Sequence, residues 1–191
     1  MITSKEELRR TTLQDAKANV RTGVKARLFG DEIWKFQLTL RKLEYFIYKS
    51  SQSKLYLPHK LFYKTKYHNL SIKLGFSIPV NVIGDGLSLP HYGTIVVSNK
   101  AKIGKNCRIH EGVTIGSTNG SDLAPIIGDN VFIGSGAKIL GNITIADDVC
   151  IGASTVVTKS ITEPGTTWAG IPAKKISDNN SHSNLSKMLF I

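Results

Sequence analysis

Apolar residues follow a helical period over the first 75 residues of the chain. They recur at intervals of three and four residues, which is the pattern of amphipathic α-helices. Ser4 precedes Glu7 by the capping-box spacing, so a short first helix is expected to begin there. Apolar positions from Ile33 to Ile47 predict a second helix of roughly three to four turns. Pro58 separates it from a third helical stretch over about residues 59–74.

Beyond Gly75 the helical period disappears, and an aliphatic residue recurs at every sixth position. This period is typical of a triangular coil, in which each side is a short strand with an inward aliphatic residue and each corner is a turn that favours Gly, Asn or Asp. Stacked coils pair their strands in parallel and bury a continuous core. A chance spacing of Ile and Gly is the competing explanation, and six consecutive positions in register weigh against it. The repeating positions are Ile83, Leu89, Ile95, Val97, Ile103, Ile109, Ile115, Ile127, Ile133, Ile139, Ile145, Ile151 and Val157.

The sequence therefore predicts a mainly β protein with an α-helical N-terminal region. We expect the helical region over residues 1–76, a parallel β-helix over residues 77–176 and a flexible tail over residues 177–191. Residues 117–125 are polar and rich in turn formers, so they are expected to form a loop extruded from the coil. Such a loop either lines an active site or is a tolerated surface insertion.

The charge of the chain favours anionic partners. Its 25 Lys and Arg residues exceed its 14 Asp and Glu residues, which gives a formal net charge of +11. A solvated helix face is the alternative explanation for this excess. No apolar stretch is long enough to span a bilayer and no signal peptide is recognisable, so a cytoplasmic protein is expected. Cys107 and Cys150 lie apart from each other, which predicts small buried residues, without a disulfide or a zinc site.

Four segments of the repeat region, read together, resemble the hexapeptide-repeat acyltransferases and specifically their serine acetyltransferase branch. The helical region resembles the shortened helical domains of relatives in capsule or other surface-polysaccharide synthesis. The resemblance implies a left-handed parallel β-helix, a homotrimer, and acetyl-CoA as the donor, bound in a groove between adjacent subunits, with no metal. The segments are Leu-Pro-His-Tyr-Gly (89–93), Gly-Val-Thr-Ile-Gly (112–116), Ile-Gly-Ser-Gly-Ala-Lys-Ile-Leu-Gly-Asn (133–142) and Ala-Gly-Ile-Pro-Ala-Lys (169–174).

The resemblance places the catalytic histidine of the family at His91. An alcohol is a poor nucleophile at neutral pH, and an imidazole can accept its proton while staying mostly neutral beforehand. The group that orients His91 or contacts the acceptor stays open. Asp15, Asp85 and Glu111 are the candidates, and a backbone carbonyl would serve equally well.

The cofactor is expected to contact small residues, because a bulky side chain would block its pantetheine arm. Each glycine among them has an alternative role at a corner of the coil. One or more lysines near the end of the repeats are expected to bind the nucleotide phosphates: Lys159, Lys174 and Lys175. The small residues in matching segments are Gly116, Ser117, Gly134, Ser135, Gly136, Ala137, Gly152, Ala153 and Gly170.

Three departures from the family pattern affect the expected acceptor. Pro90, Phe76 and Ala124 stand where serine-using members have polar groups, and apolar groups cannot replace their hydrogen bonds. The sequence therefore favours a saccharide hydroxyl in surface-polysaccharide synthesis over L-serine in cysteine biosynthesis. A non-catalytic β-helix assembly subunit is the alternative from another class. A nucleic-acid or membrane binder driven by charge is not favoured, because no basic-aromatic platform is recognisable.

Overall fold

The N-terminal region is helical, as the apolar period predicts. A computed structural model describes residues 1–191. Three α-helices come first: α1 (Lys5–Ala18), α2 (Glu32–Gln52) and α3 (Leu57–Leu74). The Ser4 hydroxyl accepts the amide of Glu7 at 3.0 Å, which confirms the predicted start of α1.

Helix α2 is longer than the sequence pattern indicates. It has 21 residues and continues beyond Ile47 to Gln52 through residues that are not buried, which carry no apolar period, whereas the buried polar residues Gln37, Arg41 and Glu44 lie within the predicted part. Helix α3 begins at Leu57, before Pro58, since a proline in the first helical turn loses no hydrogen bond. None of the helices combines the length and the hydrophobicity that crossing a bilayer requires.

Short strands follow the helices and form three sheets that make up the sides of a prism. One sheet has the order β1–β2–β5–β8–β11, the second β3–β6–β9, and the third β4–β7–β10–β12–β13. All pairs are parallel except β12 with β13. The handedness of the coil stays a prediction. The strands are β1 (Phe76–Ser77), β2 (Ile95–Val97), β3 (Lys102–Ile103), β4 (Arg108–Ile109), β5 (Thr114–Gly116), β6 (Ile126–Ile127), β7 (Phe132–Ile133), β8 (Lys138–Leu140), β9 (Thr144–Ile145), β10 (Cys150–Ile151), β11 (Val156–Val157), β12 (Thr167–Ala169) and β13 (Lys174–Ser177).

The hexad positions form the core of the prism. Every aliphatic residue of the predicted repeat is buried, with no more than 6% of its surface exposed. Thr114 pairs with Lys138, 24 residues further on, whereas Lys138 pairs with Val156, 18 residues further on. The six additional residues belong to the loop over 117–125, so its predicted extrusion from the coil is confirmed. Cys107 and Cys150 are buried and free.

A buried ionic network joins the helices to the first turn of the prism. Arg41 of α2 pairs with Asp15 of α1 at 2.8 Å and with Glu44 at 3.2 Å. All three side chains are at most 3% exposed. Arg41 also donates to backbone carbonyls of the prism, and Asp15 accepts backbone amides there. These backbone groups belong to Ile83, Gly84, Gly86 and Leu87.

The C-terminal segment packs along the prism, which differs from the expected flexible tail. Ser181 is fully buried, and its amide donates to the carbonyl of Asp148 at 3.0 Å. The Nε2 atom of His182 lies 2.7 Å from Oδ1 of the same aspartate. Leu185 is 7% exposed. Polar contacts to the prism and this apolar contact together hold the segment, and the sequence pattern does not reveal them.

Candidate active site

His91 and several other predicted site residues lie along one edge of the prism. We call it the histidine edge; it consists of the segment before β2 and of the turns that join β4 to β5, β7 to β8 and β10 to β11. The turns stack closely. A Cβ atom on Gly112, whose φ is +75°, would meet the Cα atom of Gly136 at 3.1 Å. Glycine is therefore required at position 112 both by its backbone conformation and by the contact with the next turn.

Three side chains with proton-transfer chemistry meet at this edge. His91 is exposed, and His110 and Glu111 are partly buried. One ring nitrogen of each histidine and one carboxylate oxygen of Glu111 all lie within 4.8 Å of one another. The rings of His91 and His110 meet edge to face, with 5.3 Å between their centroids. His110 was not among the predicted site residues; the signal that could have found it is its place at the corner one coil after His91.

The surroundings of His110 keep its imidazole neutral. Burial is the largest cause that lowers the pKa of His110, and the Arg108 guanidinium lowers it further. Nε of Arg108 donates to Nε2 of His110 at 3.3 Å, so the ring proton is assigned to Nδ1. Nδ1 faces the Ser135 hydroxyl at 3.5 Å and the Glu111 carboxylate at 3.9 Å. An imidazole held in this way is a positioned neutral group and not a free base.

Glu111 supplies a negative charge beside the two histidines. The Ser135 hydroxyl is the largest cause that lowers the pKa of Glu111, and His91 and His110 lower it further. The carboxylate is therefore ionised at neutral pH. Glu111 is the one predicted orienting carboxylate that the structure brings to His91.

The other two candidate carboxylates lie elsewhere in the chain, so within one subunit neither of them orients His91. Asp15 is 1% exposed, and both of its oxygens are engaged by Arg41 and by backbone amides. Burial raises the pKa of Asp15, and Arg41 opposes that rise. Asp85 lies in the turn after Ile83, at a different edge of the prism, where it lines a cavity with Glu7 and Arg10.

The predicted cofactor residues divide between two edges that flank the sheet β1–β2–β5–β8–β11. Gly116 and Ser117 lie at the far edge, where β5 ends. Ala137 is fully buried and contributes its methyl group to the core, so only its backbone could contact the cofactor, and that contact stays a prediction. Gly134 is also buried, and a Cβ atom there would meet the amide nitrogen of Ala153 at 2.7 Å, which assigns it to packing of the turn. The remaining small residues lie at the histidine edge: Ser135, Gly136, Gly152, Ala153 and Gly170.

The three candidate lysines are not equivalent. Lys159 and Lys174 line one cavity of about 340 Å³ together with Trp168. Lys175 instead pairs with Glu163 at 2.5 Å and with Asp178 at 2.6 Å, and Asp178 is the largest cause that raises its pKa. The charge of Lys175 is therefore neutralised within the chain, so the structure leaves Lys159 and Lys174 as the candidates for an anion.

A second cavity, of about 350 Å³, lies between the prism and the helical region, and its lining includes Pro90 and Tyr92, the sequence neighbours of His91, but not His91 itself. Arg21 and Asp31 form a double contact in its wall at 2.8 and 2.7 Å. Nε of Arg21 is buried and has no hydrogen-bond partner. Sequence reasoning missed this cavity, because its wall comes from separate parts of the chain. Its lining is Asn19, Arg21, Asp31, Ile33, Trp34, Gln37, Leu89, Pro90 and Tyr92.

Comparison with known proteins identifies the family. The model described as "Bacterial transferase hexapeptide (six repeats)" matches residues 124–159. The serine acetyltransferase of Staphylococcus xylosus is 35% identical over 152 residues, which cover 70% of this chain and 69% of that protein. The chain belongs to the serine acetyltransferase family.

Other members of the serine acetyltransferase family extend the comparison. The serine acetyltransferase of Buchnera aphidicola is 42% identical over 111 residues, or 56% of this chain, and the chain spans only 42% of that relative's length. A crystal structure of serine acetyltransferase from Brucella abortus in complex with coenzyme A superposes with a TM-score of 0.64 at 29% identity. That match covers 92% of this chain and 68% of the other. The relatives are serine acetyltransferases, and the resemblance to capsule-synthesis relatives has no support from them.

Of the three residues that depart from the serine acetyltransferase pattern, Phe76 and Ala124 lie away from the cavity that Arg21 and Asp31 line. Phe76 is 2% exposed and packs edge to face on Phe36, with 5.2 Å between the ring centroids. Ala124 is 5% exposed and belongs to the core. Only Pro90 lines the cavity.

Proposed function

We propose that this protein transfers an acetyl group from acetyl-CoA to the hydroxyl group of a small acceptor, with His91 as the general base. The observation that carries the proposal is the exposed imidazole of His91 beside a neutral His110 and an ionised Glu111. Membership of the serine acetyltransferase family and the relative bound to coenzyme A support the donor.

The proposed reaction is a direct acyl transfer. His91 takes the hydroxyl proton while the acceptor oxygen attacks the thioester carbonyl, and the carbon–sulfur bond then breaks. The proton passes to the sulfur of the leaving CoA. The carboxylate of Glu111 favours the imidazolium that forms on His91, because opposite charges within a few ångströms stabilise each other. Arg108 donates a hydrogen bond to His110, whose ring contacts the ring of His91, so His110 fixes the geometry of the two histidines.

The cofactor is proposed to follow the small residues of the histidine edge. Ser135, Gly136, Gly152 and Ala153 leave room there for a narrow chain, and the cavity of Lys159 and Lys174 offers charge for its phosphates. The neighbouring subunit of a homotrimer would form the other wall of this groove. Light scattering is expected to give the mass of a trimer.

Replacing Lys159 and Lys174 by alanine is expected to weaken CoA binding. Each exposed ion pair is worth up to about 1 kcal/mol, so each single substitution raises the dissociation constant roughly two- to fivefold and the double substitution roughly tenfold. Lys175→Ala is the matched control, because its charge is already paired with Glu163 and Asp178. Calorimetric titration with CoA measures the effect. An equal loss in the Lys175 variant would contradict the assignment.

L-serine is the acceptor that the comparisons favour. The Arg21 and Asp31 side chains, which line the same cavity as Pro90 and Tyr92, carry the two charges that complement a carboxylate and an ammonium group. Arg21 and Asp31 pair with each other in the free protein, so L-serine would exchange this ion pair for contacts with its own carboxylate and ammonium groups. We therefore propose the cavity of Arg21 and Asp31 as the acceptor site and L-serine as its first candidate.

We expect Arg21→Gln to raise the KM for L-serine roughly tenfold or more, because a hydrogen bond to a charged group is worth about 1.5–3 kcal/mol. The turnover at saturating L-serine is expected to change little. Arg27→Gln is the matched control, since Arg27 is exposed and lies outside the lining of the cavity. Release of free CoA thiol from acetyl-CoA measures both variants. An unchanged KM in Arg21→Gln would assign the acceptor to another surface.

A saccharide hydroxyl is the second candidate acceptor, and Pro90 is the observation that favours it. This apolar residue directly precedes His91 and lines the acceptor cavity. The same assay with L-serine and with a panel of sugars and nucleotide sugars separates the candidates. Acetylation of L-serine no faster than of unrelated alcohols, together with rapid acetylation of a sugar, would replace L-serine by the saccharide. No consumption of acetyl-CoA with any acceptor would favour the non-catalytic assembly subunit.

A further inference from the structure

Helix α3 and the turn before it expose apolar side chains on the side that faces away from the protein. Leu55 is 77% exposed, Leu61 66%, Phe62 61% and Ile72 70%. These residues, with Pro58, recur at helical spacing, and we call them the outer face of α3. Other apolar residues of the same helix, Tyr67 and Leu70, pack against the core instead. Exposed apolar side chains gathered in one stripe mark an interaction surface.

The charge around the outer face has one sign. The chain carries no Asp or Glu between Glu44 and Asp85, and lysines flank the stripe of apolar residues. Lys73 has a carboxylate partner, Glu32 of α2 at 3.4 Å. The remaining lysines of this segment form no ion pair, and they are Lys49, Lys54, Lys60, Lys64 and Lys66.

Exposed apolar side chains flanked by unpaired lysines restrict what can bind to the outer face of α3. A second copy of the same face would bring lysines against lysines, which is repulsive. A nucleic acid would satisfy the lysines and leave Leu61 and Phe62 in water. An anionic lipid surface satisfies both, because apolar side chains enter the boundary of the acyl chains while flanking lysines stay among the headgroups. We propose that the outer face of α3 binds this protein peripherally to an anionic lipid surface.

The sequence alone does not reveal this face. The partly buried Tyr63 and Tyr67 follow closely on the exposed Leu61 and Phe62, so the apolar residues of α3 are not confined to one side in the sequence pattern. The lysines therefore resemble the solvated side of an ordinary helix. Only the packing of α3 on α2 separates the apolar residues that are buried from those that remain exposed.

Co-sedimentation with phospholipid vesicles tests the proposal on the whole protein. Vesicles of phosphatidylcholine with about 30% phosphatidylglycerol are compared with vesicles of phosphatidylcholine alone. The protein is expected to bind the anionic vesicles at low salt and to be released by about 0.5 M NaCl, since exposed charges are screened over a few ångströms there. Lys64→Gln with Lys66→Gln is expected to weaken binding roughly tenfold or more. Leu61→Ser with Phe62→Ser is expected to weaken it by a similar factor.

A matched double variant on the prism controls for net charge. Lys100→Gln with Lys105→Gln removes the same charge from exposed positions away from α3 and is expected to bind vesicles within about twofold of the parent protein. Three results would overturn the proposal. The control variant would lose vesicle binding as strongly as the α3 variants, the parent protein would bind neutral vesicles as tightly as anionic ones, or the parent protein would bind neither. Light scattering adds a further outcome: an oligomer that dissociates in Leu61→Ser with Phe62→Ser, with vesicle binding unchanged, would assign the face to a second copy. None of these readouts depends on acetyl transfer.

Discussion

Replacement of His91 by alanine is expected to lower the turnover of acetyl transfer roughly 10²–10⁴-fold, the range for loss of a positioned general base. Acetyl-CoA binding is expected to stay within a few-fold of the parent protein, because the small residues and lysines proposed for the cofactor are unchanged. The variant removes an exposed ring, so the core and the stacked turns of the prism remain intact. Steady-state assays at saturating acceptor and a separate CoA titration measure the two effects.

His91→Asn distinguishes a base from a side chain that only shapes the groove. Asparagine keeps a polar side chain of similar reach and cannot accept a proton at neutral pH, so a packing role predicts recovery of activity and a base role predicts none. More than about a tenth of the parental turnover in this variant would overturn the assignment. His68→Ala, at an exposed histidine of α3, is the matched control. All variants are compared in the oligomeric state of the parent protein, measured by light scattering, since dissociation would mimic the loss of a base.

The prism is predictable from the sequence because each of its contacts repeats. Ile103, Ile127 and Ile145 lie side by side on successive coils, and the same inward position recurs in the chain wherever the coil completes a side. A repeat of six residues therefore reports both the strands and their register. The helical region lacks such redundancy, and the buried polar residues Arg41 and Glu44 interrupt the apolar period that defines α2.

The candidate site is predictable only in part, because most of its contacts join residues that are distant in sequence. His91, the proposed base, follows from its motif position, whereas the neutral state of His110 depends on Arg108 and on burial. The loss of Lys175 as a phosphate ligand depends on Glu163, twelve residues away and on a different turn. Spacing along the chain carries no information on such pairs.

Arg41→Met is expected to lower the free energy of unfolding by about 3–5 kcal/mol at pH 7, because removing one member of a buried ion pair leaves uncompensated charge in the interior. Arg41 is 2% exposed, and its loss leaves the buried carboxylates of Asp15 and Glu44 without a cationic partner where the helices contact the prism. Urea unfolding followed by circular dichroism, at one protein concentration, measures the change. Lys175→Met is the matched control, since its ion pairs are exposed and worth at most about 1 kcal/mol.

The destabilisation by Arg41→Met is expected to shrink as the pH falls from 7 towards 5. Burial raises the pKa of Asp15, and Arg41 opposes that rise, so removing Arg41 raises the pKa of Asp15 in the folded protein further. The unfolded chain keeps the ordinary pKa. Between the two values the folded variant binds a proton that the unfolded chain does not, so its stability rises as the pH is lowered through the folded pKa. In the parent protein Arg41 opposes the rise in the pKa of Asp15, so the same gain is smaller there. Two results would show that Asp15 is not held as a buried charge by Arg41. One is a loss of stability in Arg41→Met below about 1 kcal/mol, which is the most that an exposed ion pair contributes. The other is a loss that is equal at pH 7 and pH 5.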